Sequence, residues 1–135
     1  MLQDQTTLRP RYNEVDQMGY VYHANYVTYC HQARTEMMRK YGINDKWLED
    51  HQIMMPVIEM NLKYHNPSGY DELLTITTTI KKLPVVRFRF NFEFHNQKSE
   101  LVCSATSTVV FVDSETRKPM RVPKMIEDAL KEQLK

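Results

Sequence analysis

Glycine is nearly missing from this chain: three in 135 residues, at positions 19, 42 and 69. Six prolines add little more punctuation, so each instance marks a boundary. There is no low-complexity segment and no internal repeat, which excludes a fibrous protein or a repeat array. An excess of one charge is missing too. Lys and Arg total 18 against 17 Asp and Glu, leaving +1. The chain has no global field to draw in nucleic acid or an anionic membrane. No apolar run approaches the roughly 20 residues that span a bilayer. The opening stretch MLQDQTTLRPRY has no apolar core and no small-residue cleavage site, so no signal peptide is expected. Cysteine is scarce. Cys30 and Cys103 stand far apart and match no metal or redox spacing, so two free thiols in a reducing cytoplasm are expected. The five histidines are scattered without the paired spacing of a zinc site, and no metal is expected.

What is present is ordinary globular material. Apolar residues make up 41% and charged residues 26%, enough to build a core and too many apolar groups for disorder. The length fits one domain over 1–135. No proline lies between 10 and 56, and that gap holds the best helix, over 24–41. Tyr26, Cys30, Ala33, Met37 and Tyr41 line one face. Arg39 and Lys40 suit the C-terminal end of the dipole, and Gly42 follows as a cap. A short second helix over 45–51 is expected.

Strands follow. Over 57–65, Ile58, Met60, Leu62 and Tyr64 share one face. Asn66-Pro67-Ser68-Gly69 is a turn cluster. Leu74, Ile76 and Ile80 start a second alternating run, which Lys82-Leu83-Pro84 breaks. Val86, Phe88, Phe90, Phe92 and Phe94 then alternate with charged and polar residues, the clearest half-buried strand. A β-branched strand over 101–112 comes next. Pro123 opens a closing helix with the stripe Ile126, Leu130, Leu134. With a short strand at the N-terminus, helices and strands are segregated. The fold class is α+β: a long helix wrapped by one curved antiparallel sheet of about five strands, the hotdog architecture.

The unusual stretch is Arg11 to Tyr26, which packs tyrosines, Glu14, Asp16, Gly19 and His23 just before the long helix. Helix N-termini present unpaired N–H groups and partial positive charge. Such a site can hold a developing oxyanion while an upstream carboxylate supplies a base or nucleophile. The plain alternatives are a turn hydrogen bond for Asp16, a capping or surface role for His23, core or interface roles for the tyrosines, and a solvated Glu14.

The run Tyr12-x-Glu14-x-Asp16-x-x-Gly19-x-Val21-Tyr22-His23-Ala24-x-Tyr26, followed by Ala33-Arg34-Thr35-Glu36, closely resembles the hotdog acyl-CoA thioesterases. The resemblance is to the YbgC-like branch of the 4-hydroxybenzoyl-CoA thioesterase family. Tyr64-x-x-Pro67, Asp71-x-Leu73 and Lys118-Pro119-x-Arg121-x-Pro123 extend it over nearly the whole chain. It implies hydrolysis of acyl-CoA, or of acyl-carrier-protein thioesters, with coenzyme A as part of the substrate and no separate cofactor. It implies catalytic roles for Asp16, His23 and Tyr12, Asp16 acting as nucleophile or general base. Gly19, Val21, Tyr22 and Tyr26 are the implied substrate-binding residues. It also implies a homodimer or homotetramer with the acyl pocket between subunits. Lys63, Lys81, Lys82, Arg87 and Arg89 are candidates for the coenzyme A phosphates. One position departs from the family pattern: His31 stands where a glutamate is common. That departure keeps a rival in play, a hotdog module that holds an acyl ligand without turning it over.

Overall fold

The alternating phenylalanines decide which face of the sheet is core. Phe88, Phe90, Phe92 and Phe94 are all buried to within 1% of complete. Their intervening neighbours Arg87, Arg89, Asn91 and Glu93 lie on the opposite face. Period-two alternation puts successive side chains on opposite faces, and each fully buried phenylalanine contributes about 1.5–3 kcal/mol.

The structure, a computed structural model, describes residues 1–135. Its elements are β1 (Leu2–Leu8), a 3-10 turn (Tyr12–Glu14), α1 (Asn25–Lys40), α2 (Asp45–Asp50), β2 (Ile53–Met54), β3 (Val57–Tyr64), β4 (Leu74–Ile80), β5 (Arg87–His95), β6 (Leu101–Asp113), β7 (Pro119–Met120) and α3 (Lys124–Glu132). The long strands run in the order β1-β4-β5-β6-β3, every pairing antiparallel. The β6 strand is the spine. Val109 pairs with Phe88 on one side and Val57 on the other, and Val112 does the same with Pro119 and Met54. The expected five strands are therefore joined by two of two residues each.

Register fixes the inner face. Phe92 and Leu62 both pair with Ala105, and Phe94 and Tyr64 both pair with Cys103. Helix α1 lies on this face with Tyr26, Tyr29, Cys30, Ala33, Met37 and Met38 buried. It ends as a Schellman motif: Gly42 N–H donates to Arg39 O at 3.0 Å and Ile43 N–H to Met38 O at 2.9 Å. Gly42 supplies the φ of +82° this ending requires. Asp4, on the inner face of β1, is tied to Lys40 in the last turn of α1. The outer face is mainly polar, carrying Gln3, Thr77, Asn91, Thr106 and Lys63.

Three expectations need correcting. The face Ile58, Met60, Leu62, Tyr64 exists but is only partly covered: Ile58 is 50% and Tyr64 51% exposed. The reason is position, since β3 is an edge strand that pairs with β6 on one side only. Val86 lies before β5 and is exposed. Pro123 sits at the N-cap rather than in the first turn of α3, and Leu134 lies past the end of that helix, exposed.

Candidate active site

A hollow of ≈ 380 Å³ opens where the loop before α1 meets the turn after β3. Asp16, Met18, Tyr20, Val21, His23, Tyr26, Tyr64, His65, Asn66 and Pro67 line it. The loop is folded by Asp16 itself. Its Oδ1 accepts the N–H groups of Met18 at 2.9 Å and Tyr20 at 3.2 Å. Its own N–H donates to Tyr20 O at 2.7 Å, and Gly19 N–H donates to Asp16 O at 3.0 Å. Gly19 has φ +80°, with nothing near where a Cβ would sit, so the turn needs glycine for its backbone angle and not for space. With Oδ1 so occupied, Oδ2 accepts no hydrogen bond from the chain. The turn reading and the chemical reading of Asp16 thus use different oxygens of one carboxylate.

Two small bridges clamp this loop. Val15 pairs with Val21, and Tyr20 pairs with Gly69. Val21 N–H donates to Ser68 O at 2.8 Å, and Tyr22 N–H to Glu14 O at 2.9 Å. After these, the N–H groups of His23 and Ala24 donate to nothing within the chain, while Asn25 N–H already returns to Tyr22 O at 2.9 Å. Two free donors therefore stand at the entry to α1: that of His23, which lines the hollow with Asp16, and that of Ala24 next to it.

The side chains around them are aromatic. The His23 ring is exposed, 4.5 Å from the ring of Tyr22 and 6.3 Å from that of Tyr64. Tyr26 is buried, with its hydroxyl 2.8 Å from Ser68 Oγ and its ring against Tyr29, Tyr64 and Phe94. Burial raises the Tyr26 pKa above the ordinary phenol value, so it stays neutral and serves as wall. Glu14 is not simply solvated. Its Oε1 accepts Arg11 N–H at 2.7 Å and the Tyr29 hydroxyl at 3.1 Å, which pins the loop to α1. Burial first, then that bond to the carboxylate, pushes the Tyr29 pKa up.

The structure brings Asp16, His23, Val21 and Tyr26 to one hollow. Tyr12 is elsewhere: it is 78% exposed and its ring meets Tyr70 edge-on at 5.7 Å. Tyr22 touches the site through the His23 ring, and Gly19 through the turn. The basic candidates lie on the outer face of the sheet. Lys63 and Lys81 border one hollow of ≈ 430 Å³. Lys81, Lys82, Arg87 and Arg89 border another of ≈ 460 Å³. None lines the Asp16 hollow. Tyr64 and His65 also line the hollow, and Ser68 holds the Tyr26 hydroxyl, three roles that the sequence motif does not reveal. The signal available for them was the Asn66-Pro67-Ser68-Gly69 turn cluster beside Tyr64.

Residues 10–130 match the model of the thioesterase-like superfamily. This chain belongs to that superfamily. It is a YbgC-like hotdog thioesterase. It is 33% identical over 119 residues to the acyl-CoA thioester hydrolase YbgC of Escherichia coli, covering 88% of this chain and 89% of the relative. It is 28% identical over 130 residues to the acyl-CoA thioesterase YbgC of Helicobacter pylori, covering 90% and 96%. Among solved structures, the DHNA-CoA thioesterase of Staphylococcus aureus superposes with a TM-score of 0.91 at 28% identity, covering 99% of this chain and 92% of that one.

Proposed function

We propose that this thioesterase hydrolyses acyl-CoA thioesters, with the Asp16 carboxylate starting the reaction at a carbonyl held by the free N–H groups of His23 and Ala24. The observation that carries the reading is an uncommitted Asp16 Oδ2 in the same hollow as His23, whose main-chain N–H is uncommitted, as is that of Ala24 beside it. Fixed donors aimed at a developing oxyanion stabilise it without reorganising, which is where much of such a rate enhancement arises. Oδ2 delivers the attack directly or through a water whose proton it takes. The C–S bond then breaks and the thiolate of coenzyme A takes up a proton; the water route releases the acid at once, whereas direct attack leaves an Asp16–acyl anhydride that a water hydrolyses to acid and free carboxylate. His23 contributes its main-chain N–H and, through its exposed ring tilted against Tyr22, one flank of the thioester channel.

The subunit is also built to pair. Strand β3 bonds only to β6, so its other edge is free. Beside that edge Val27, Val57, Ile58 and Tyr64 are each between 42% and 51% exposed. Free edges with apolar flanks invite another strand, and a second copy meeting β3 would wall the hollow. The outer-face cations Lys63, Lys81, Lys82, Arg87 and Arg89 form no ion pair within the chain, which leaves them available for the phosphates of coenzyme A.

The test is thiol release from short, medium and aromatic acyl-CoAs and from an acyl-carrier-protein thioester. Release that disappears in Asp16→Asn is the expected result. A fully active Asp16→Asn enzyme overturns the assignment. Saturable binding with no release from any substrate replaces it with an acyl-binding module.

A further inference from the structure

The hollow at Asp16 and a second, smaller cavity both lie along the seam between α1 and β3. At the first stand His23 just ahead of the helix, Tyr26 from its first turn and Tyr64 from the strand. Further along, Val27, Cys30, His31 and Arg34 from α1 face Val57 and Met60 from β3 around the second, of ≈ 70 Å³. The two elements run antiparallel alongside each other, so each measures the seam. From Tyr26 to Arg34 the helix rises about 12 Å. From Met60 to Tyr64 the strand rises about 13 Å. The rulers agree on the span of a medium-length acyl group.

The far cavity has apolar walls and one cation. Arg34 is half-buried and forms no ion pair; its side-chain partner is His31 Nδ1, 3.2 Å from Nη2. The carboxylate that acts on it from a distance is Asp45 on α2. Every other residue bordering the cavity is apolar or neutral: Val27, Cys30, Val57, Met60, Phe92, Ser107. A guanidinium facing an apolar space without an acceptor calls for one, because a partly desolvated charge costs free energy until it is paired. A water occupies about 30 Å³ of liquid, so the cavity admits a carboxylate and its adjoining methylene but nothing as large as a coenzyme.

We infer that the acyl groups this enzyme takes carry an anionic oxygen at the end remote from the thioester, as in the coenzyme A monothioesters of dicarboxylic acids, with Arg34 and His31 binding that end. This rests on the thioesterase reading above and names its substrate class. Arg34 and His31 are specificity residues here, not participants in bond breaking. The thioester carbonyl sits at His23 and Ala24. The chain runs past Val27 and Met60. The terminal carboxylate meets the guanidinium, whose side chain leans back toward the helix N-terminus.

The experiment compares kcat/KM for suberyl-CoA against octanoyl-CoA, and for sebacyl-CoA against decanoyl-CoA. It uses the full-length protein and its Arg34→Met, Arg34→Lys and His31→Glu variants. Wild type favours the dicarboxylic member of at least one pair by about tenfold, the worth of a charge-assisted hydrogen bond. Arg34→Met erases that ratio. Arg34→Lys keeps part of it. His31→Glu erases it by supplying Arg34 with an internal carboxylate three residues away on the helix. His31 is exposed, so this variant keeps the test alive should Arg34→Met fail to fold. A wild-type ratio near or below one in both pairs overturns the inference, as does a ratio unmoved by both Arg34→Met and His31→Glu. Either result with unsubstituted acyl-CoAs still hydrolysed leaves the thioesterase reading standing. Absence of thiol release from every acyl-CoA brings down both.

Discussion

Tyr64, on the edge strand β3, donates its phenolic hydroxyl to the main-chain carbonyl of His23 at 3.1 Å. That carbonyl and the Ala24 N–H belong to one peptide plane. A bond to the oxygen fixes the plane and polarises the N–H at its other end. One strand hydroxyl thus sets the direction in which a proposed oxyanion donor points. Tyr64→Phe keeps the ring packing against Tyr26 and removes only the bond. We expect kcat to fall several-fold with KM little changed, and stability to fall by about 0.5–1.5 kcal/mol. Steady-state kinetics with urea unfolding checks both, and an unchanged kcat rules out the orienting role.

The two oxygens of Asp16 separate folding from chemistry. Asparagine keeps an oxygen where Oδ1 receives Met18 and Tyr20 N–H, whereas alanine leaves both donors without it. Asp16→Asn is expected to unfold within about 0.5 kcal/mol of wild type, and Asp16→Ala to lose about 1 kcal/mol or more. Both are expected to be inactive. Equal large destabilisation in the two variants means the carboxylate charge, not the turn, holds the loop.

Most of this architecture was legible because hydrophobic periodicity is a local signal. The Phe88–Phe94 alternation and the Tyr26–Met37 stripe each name their own buried face before any partner is known. Coverage was not legible. Ile58 and Tyr64 alternate as a core strand does, yet β3 lies at the edge, and edge position is a property of topology. The same limit applies to the site. Asp16 and His23 are near in sequence and stand in one motif. Tyr64 and His65 reach the hollow only because β3 runs back to the start of α1. Tyr12 shows the converse, a residue near Asp16 in sequence whose ring turns outward to Tyr70.

Both thiols are buried, and burial raises their pKa values, Cys103 to about 11. A thiol held far above neutral offers almost no thiolate, the reactive form. In the folded protein neither cysteine is expected to react with an aromatic disulfide reagent near neutral pH on the timescale of assay. Both react at once in urea. Rapid labelling of the native protein shows that the α1–sheet packing opens far more readily than its burial implies.

The free edge of β3 gives a prediction for assembly. A lysine replacing Ile58 places a charge where the proposed subunit contact is apolar and half-exposed. In the lone subunit that site is open enough to tolerate it; between two copies the two lysines face like charge and lose apolar burial. Ile58→Lys is expected to elute as a monomer with unchanged far-ultraviolet circular dichroism. A variant that elutes as wild type moves the subunit contact away from β3.

His31 links the seam to pH. Desolvation first, and then the neighbouring Arg34 charge, lower its pKa below the ordinary histidine value of 6.5, with Asp45 opposing. The folded state therefore favours the neutral ring, and the unfolded chain binds more protons in the window between the two pKa values. Stability rises with pH wherever the unfolded state holds more protons. The contribution is complete above the unfolded value, is lost as pH falls through 6.5 toward the folded pKa, and is gone below both. His31→Gln is expected to flatten this part of the profile between about pH 5 and about pH 8. Urea midpoints across that range, with the His31 ring titration followed by NMR, make the measurement. Arg34→Gln is expected to move the titration back up by removing the second cause. A His31 ring that titrates at or above the ordinary value, or a slope unchanged in His31→Gln, means that the ring is not held neutral by the fold, and a titration unmoved in Arg34→Gln means that Arg34 does not face it.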